Sequence, residues 1–290
     1  MDLAQLDHAE RCRLLDEETA RVSAWLHGLG PAALDRPAHG DWPAREVIAH
    51  LVTVADFYAG NIERGVTGDH EAPPGRPAAG SMRGASTAPV VRKGAAAVAA
   101  ATADDPLGAF DRSAARLSER LHALGPDQLD LPGYHPGGLL PLNRFLLLRA
   151  KELCVHEWDL RAPTDPAARI SPFGVAAVLL IIDESIASGS LRWAYQPDPT
   201  VSAPLRVRAS LDGAVRWQGR FTVTTDSIDM DPSGTLDDGA PADVTVEGDA
   251  EAFVRLVYGR LAPSPAGDVA GLRFDPAAVA PRAAGWFTGI

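Results

Sequence analysis

The chain has 290 residues, 46% hydrophobic and 22% charged, with a formal net charge of -11 and a pI of ≈ 5.1. This is an ordinary globular composition and more chain than one core needs, so two domains are expected. An acidic chain gains nothing from counterion release at a phosphate backbone, which argues against nucleic acid as a partner.

The opening residues, Met1-Asp2-Leu3-Ala4-Gln5, lack the basic stretch and apolar run of a secretory signal. The most apolar runs, Leu146 to Leu148 and Val175 to Ile182, are too short to span a bilayer. No membrane partner and a cytoplasmic location are therefore expected. Cys12 and Cys154 make no disulfide framework and are expected as free buried thiols.

The first half reads as helices. Leu15, Thr19, Val22, Leu26 and Leu29 paint one helical face, and Gly28, Gly30 and Pro31 stop that helix. A second helix is predicted from about Asp41-Trp42-Pro43, with Val47, His50, Val54 and Phe57 on one stripe. The connection from Thr67 to Pro89 is rich in Gly, Pro and Ala and is expected to be long and partly mobile, with a short helix at Ala95 to Ala101. A third helix starts at Asp105-Pro106 and carries Leu107, Phe110, Ala114, Leu117, Leu121 and Leu124. A fourth runs from near Pro141 to about Leu160. Four such helices predict a four-helix bundle over residues 1–162.

Residues 163–172 read as a linker, and Ser171-Pro172 can cap a helix with Val175, Val178, Leu179, Ile182 and Ile186 on its apolar side. After Trp193 the period changes to alternation: Leu205, Val207, Ala209 and Leu211, then the hairpin signal Asp212-Gly213, then Val215, Trp217, Phe221 and Val223. Asp231-Pro232-Ser233-Gly234 reads as a turn, Val244 and Val246 as a strand, and Asp249 as the cap of a helix with Phe253, Leu256, Val257 and Leu261. The second domain, residues 173–290, is thus predicted as a small antiparallel sheet with helices. The predicted class is α + (α+β).

The segment from Lys151 to Leu160 carries the chemistry. On a helix Glu152 and His156 project together, one turn apart, as a carboxylate and an imidazole able to clamp a divalent ion. Their helix is apolar nearly all round, and a buried carboxylate needs a partner. A polar stripe of Arg149, Glu152, His156 and Asp159 laced by ion pairs explains the same residues. His50 adds weight to the metal reading, because it lies on the core stripe of another helix, and bundle cores are where ligands from facing helices meet. A lone His on an apolar face is more often a satisfied core residue. Taken together, His50, Glu152 and His156 form a three-ligand N/O set that leaves coordination positions open, as catalytic sites do. Zinc fits best, and iron, nickel, manganese and cobalt accept the same donors.

These residues carry a resemblance. Asp41-Trp42-Pro43-Ala44-Arg45-Glu46-Val47-Ile48-Ala49-His50-Leu51 and Glu152-Leu153-Cys154-Val155-His156-Glu157-Trp158-Asp159-Leu160 resemble two motifs of the mycothiol-dependent maleylpyruvate isomerases, within the wider DinB/YfiT-like metalloproteins. Ala242 to Asp249 and Leu256 to Leu261 are similar to that family's sterol-carrier-like C-terminal domain. The chain departs from the pattern at Ala38-His39-Gly40-Asp41 and at Tyr134-His135-Pro136-Gly137-Gly138.

The resemblance implies a metal-dependent enzyme that uses mycothiol as co-substrate, with a thiolate attacking an electrophilic small molecule. Addition and elimination at a conjugated cis double bond would make it an isomerase; retention of the thiol would make it an S-transferase. Other readings are a small-molecule binding protein with a structural metal, and a thiol-independent hydrolase or lyase using metal-bound water. Asp159 is a candidate to orient a ligand, and Arg260 to bind an anionic substrate. Cys154 points away from the Glu152/His156 face and reads as buried filler. His135 reads as solvated or as part of a site rim. Monomer and homodimer are both compatible with the sequence. No nucleotide-binding glycine loop, serine-hydrolase elbow or paired C-x-x-C motif occurs.

Overall fold

The computed structural model describes residues 2–81, 88–187, 196, 198–225, 228–230, 241–261, 264 and 269–287. Contacts divide the chain between Ala177 and Val178 into two compact units.

The first unit opens with α1 (His8–His27). Its start is set by a capping box: Asp7 accepts from the Glu10 N–H at 2.8 Å, and Glu10 accepts from the Asp7 N–H at 2.9 Å. Cys12, Leu15, Glu18, Val22 and Leu26 form its buried stripe. A two-stranded hairpin follows, β1 (Pro37–His39) and β2 (Trp42–Pro43), turning at Gly40 with φ +56°. Trp42 and Pro43 therefore belong to a strand. The helix α2 (Ala44–Val66) begins one residue later than Pro43, and its first N–H donates to the Arg36 carbonyl at 2.8 Å. The tie to the hairpin, made by residues outside the helical period, moves the start.

Of the predicted connection, residues 82–87 lie outside the described residues. The helix α3 (Ala88–Ala101) is longer than the short segment expected. Asp105 caps α4 (Pro106–His122), accepting from the Gly108 N–H at 3.0 Å. A second hairpin, β3 (Pro132–His135) and β4 (Gly138–Pro141), precedes α5 (Arg144–Arg161). Pro141 thus ends a strand and does not start the helix. The helix α1 packs on α4 and α5, while α2 packs on α3, α4 and α5.

The boundary between units falls inside α6 (Pro172–Ala187). Its first turn is capped by Ser171, whose hydroxyl accepts from the Gly174 N–H at 3.1 Å. The side chain of Ile186 and the residues around Trp193 lie outside the described residues.

The second unit holds a five-stranded sheet in the order β7-β6-β5-β8-β9, with β5 (Leu205–Asp212), β6 (Trp217–Val223), β7 (Ile228–Met230), β8 (Val244–Asp249) and β9 (Leu272–Asp275). Val207, Ala209 and Leu211 point inward from β5, as their alternation predicts. The sheet is mixed, not antiparallel: β8 runs parallel to β5. Hairpin signals describe only consecutive strands, and the return of β8 to the far side of β5 is a long-range choice. The predicted turn at Asp231 to Gly234 lies outside the described residues. Asp249 caps α7 (Ala250–Val257), and Phe253 stacks on Trp217 at 5.7 Å between centroids. A short α8 (Ala280–Gly285) completes the described fold. No helix among the described residues is long and apolar enough to cross a membrane.

Candidate functional site

Two helices of the first unit bring the predicted trio together. His50 projects from α2, and Glu152 and His156 project one turn apart from α5. His50 Nε2 lies 3.0 Å from Glu152 Oε2, and His156 Nε2 lies 3.2 Å from the same oxygen. The three donor atoms fall within 4.8 Å of one another. All three side chains are 12–13% exposed. The two imidazoles meet edge to face, with centroids 4.8 Å apart.

The electrostatics follow from this crowding. Burial opposes charge on Glu152, but Lys151, whose ammonium bonds Oε1, and the hydrogen bonds to His156 and His50 outweigh it. The carboxyl is held well below its ordinary range. Burial pushes the His50 imidazole down, against the pull of Glu152. Burial also opposes charge on His156, yet hydrogen bonds to Asp159 and Glu152 raise it.

Asp159 is 1% exposed and lies 2.8 Å from His156 Nδ1. A carboxylate only accepts, so Nδ1 carries the proton. In the neutral ring, Nε2 then turns a lone pair toward the Glu152 carboxylate. Two lone pairs at 3.2 Å repel unless a cation or a second proton lies with them. The donor set therefore fits a positive ion of the N/O-binding kind.

Two hairpins pack on the helices that carry the trio. From β1, His39 Nδ1 approaches the other Asp159 oxygen at 3.6 Å. From β2, Trp42 meets His50 edge-on at 6.2 Å, and the Arg92 guanidinium lies 5.7 Å from the Trp42 ring centre. From β3, His135 lies beside Tyr58 at 6.4 Å between centroids. Burial, then Lys151, push its imidazole down to about 4, against the pull of Glu152. Sequence reasoning gave Lys151 and Tyr58 no role and singled out His39 only within a departure from the family pattern; Lys151 is the immediate neighbour of Glu152, whereas no periodicity places His39 beside Asp159 or Tyr58 beside His135.

The remaining candidates lie elsewhere. Cys154 is buried and donates to Glu18 at 3.3 Å. Arg149 donates to the Leu51 carbonyl at 2.8 Å and lies over the Phe110 ring. Arg260 belongs to the second unit and donates to the Tyr258 carbonyl at 2.6 Å.

A helical unit presenting two imidazoles and a carboxylate from two helices, followed by a unit built on a five-stranded sheet, defines a mixed helix-and-sheet protein with a His-Glu-His centre. The chain belongs to the family described as mycothiol maleylpyruvate isomerase N-terminal domain, which matches residues 15–161. Two solved structures are similar in fold. The crystal structure of the mycothiol-dependent maleylpyruvate isomerase aligns with a TM-score of 0.62 at 16% identity, covering 96% of each chain. A histidine-to-alanine mutant of that enzyme aligns with a TM-score of 0.63 at 17% identity, again covering 96% of each chain. No curated protein matches significantly in sequence.

Proposed function

We propose that this chain is a mycothiol-dependent isomerase of a small electrophile, with a divalent ion, zinc first, held by His50, Glu152 and His156. One observation carries the reading: both imidazole Nε2 atoms converge on a single oxygen of Glu152, at 3.0 and 3.2 Å. Family membership and the two similar folds supply the thiol and the reaction class. The helices α1, α2, α4 and α5 are read as a DinB-type four-helix bundle over residues 1–162. Residues 163–172 serve as the linker and 173–290 as the sterol-carrier-like unit.

A bound divalent ion would supply the positive charge that lowers a thiol's pKa toward neutrality. The chain's own residues set the stage for that charge. Asp159 keeps the proton of His156 on Nδ1, so Nε2 faces inward. Lys151 neutralises the outer oxygen of Glu152. Trp42 stands at right angles to the His50 ring, 6.2 Å between centroids.

In the reaction this reading requires, the thiolate sulfur forms a C–S bond at a conjugated cis carbon, and the π pair moves to the carbonyl oxygen. The former double bond rotates, the pair returns, and the C–S bond breaks to give the trans product and free thiolate.

Calorimetry of the metal-loaded protein with mycothiol, paired with an ultraviolet assay of cis-trans conversion, tests the reading. Binding is expected, with conversion that needs thiol but leaves it unconsumed. Conversion at full rate without any thiol would remove it. Consumption of one thiol per turnover would replace isomerase by S-transferase.

A further inference from the structure

The carboxylate of Glu152 has two oxygens, and their surroundings differ. Oε2 faces His50 Nε2 at 3.0 Å and His156 Nε2 at 3.2 Å. Oε1 accepts from the ammonium of Lys151, the residue just before it on α5. One oxygen is grouped with the imidazoles, and the other is engaged by a cation.

Side chains at consecutive helix positions do not face each other, and a lysine commonly extends its stem until the ammonium reaches water. Lys151 instead folds back onto Glu152. Its side chain is 14% exposed, against 13% for Glu152. Water screens the pair little there, so the charge-assisted bond holds Oε1 more firmly than the same contact at a surface would. The residue type matters as well. Lys93 and Lys151 are the two lysines of the chain, and arginine is used elsewhere. A guanidinium fork tends to bind a carboxylate through both oxygens, whereas an ammonium is a point donor that takes one and leaves the other.

We propose that Lys151 is a positioning residue that holds Glu152 Oε1 back from the metal, so that the carboxylate binds the ion through Oε2 alone and a coordination position stays open for an exchangeable ligand. The assignment rests on the reading of His50, Glu152 and His156 as metal ligands, in which the exchangeable ligand is the thiol sulfur. It adds what keeps the centre open. A carboxylate binds a metal through one oxygen or through both. Both oxygens together with two imidazoles would fill the four positions that zinc prefers. With one oxygen the protein supplies three donors, and the fourth position exchanges.

The test uses the full chain at saturating zinc, with isotope-labelled glutamate, and infrared difference spectra of the zinc-loaded minus the metal-free protein. The asymmetric and symmetric carboxylate stretches lie far apart when one oxygen binds a metal and closer together when both do. The parent protein should show the wide separation. Lys151→Met, which keeps the length of the side chain and removes the donor, should narrow it. Mycothiol Kd in that variant should weaken roughly tenfold, about 1.4 kcal/mol, as the second oxygen competes with sulfur. Lys151→Gln, which keeps an N–H donor, should retain the wide separation. Both variants should keep the helical circular dichroism of the parent. A narrow separation in the parent, an unchanged one in Lys151→Met, or no zinc uptake by the parent would each overturn the assignment. Thiol-dependent turnover alongside an unchanged separation in Lys151→Met would overturn it while leaving the isomerase reading in place. The expected spectra together with full turnover in the absence of thiol would remove the isomerase reading and leave the Lys151 assignment supported.

Discussion

Asp159 Oδ2 sits 2.8 Å from His156 Nδ1, and that contact decides which nitrogen of the imidazole faces Glu152. Partners of this kind, one bond behind a ligand, fix the ring and raise its basicity. Asp159→Asn should keep the fold and weaken zinc binding by roughly 10–100-fold, the range for loss of such a partner. A competition titration against a chelator measures it. An unchanged affinity would show that His156 is oriented by packing alone.

The trio itself should be separable from the fold. The protein as purified is expected to hold about one divalent ion per chain. His50→Ala, Glu152→Ala and His156→Ala should each lose it, with helical circular dichroism retained. Elemental analysis after gel filtration reads the outcome. Full occupancy in His156→Ala would reject the ligand assignment.

His135 gives the chain a pH signature. Burial, assisted by Lys151, presses its folded-state pKa to about 4, below the value of 6.5 for a free imidazole. Between these values the unfolded chain binds more protons than the folded one, so stability rises with pH through that window. The contribution is complete above about 6.5 and is progressively lost toward 4. Each pH unit of that window is worth about 1.36 kcal/mol, so the whole effect is of order 3 kcal/mol. Urea unfolding from about pH 4 to about pH 7 should show a slope that His135→Gln flattens. Parallel slopes in the two proteins would assign the pH dependence to other groups.

Elsewhere on α5 a second ionic cluster ties that helix to α1. Glu157 is fully buried, accepts two bonds from Arg21 of α1 at 2.7 and 2.8 Å, and a third from Arg161 at 3.1 Å. Glu157→Gln should destabilise the protein by about 2 kcal/mol, less than for a wholly buried pair because Arg21 keeps access to water. Chemical denaturation checks this, and activity per folded molecule should not change.

Whatever acts over a few residues was legible in the chain alone. Periodicity marked α1, α2 and α4, a segment apolar nearly all round marked α5, and Asp105 and Asp249 announced the helices they cap. The spacing of Glu152 and His156 put them on one face, since one helical turn joins them whatever the rest of the chain does. Alternation likewise marked β5 and β6 and their inward residues.

Relationships across long separations came from packing. His50 meets Glu152 across 102 positions, a contact made by α2 lying on α5 and not by any local pattern. The two hairpins carry too few residues for a period to emerge, yet the first brings His39 and Trp42 to the site and the second sets His135 beside Tyr58. The parallel pairing of β5 with β8 depends on where a long return lands. Gly174 shows the same limit at the scale of one atom. A Cβ there would lie 2.3 Å from that of Cys154, so the close contact of α6 with α5 needs a glycine that no sequence motif marks. Local propensity is written in neighbouring residues, whereas burial is shared among residues that meet only once the chain has folded.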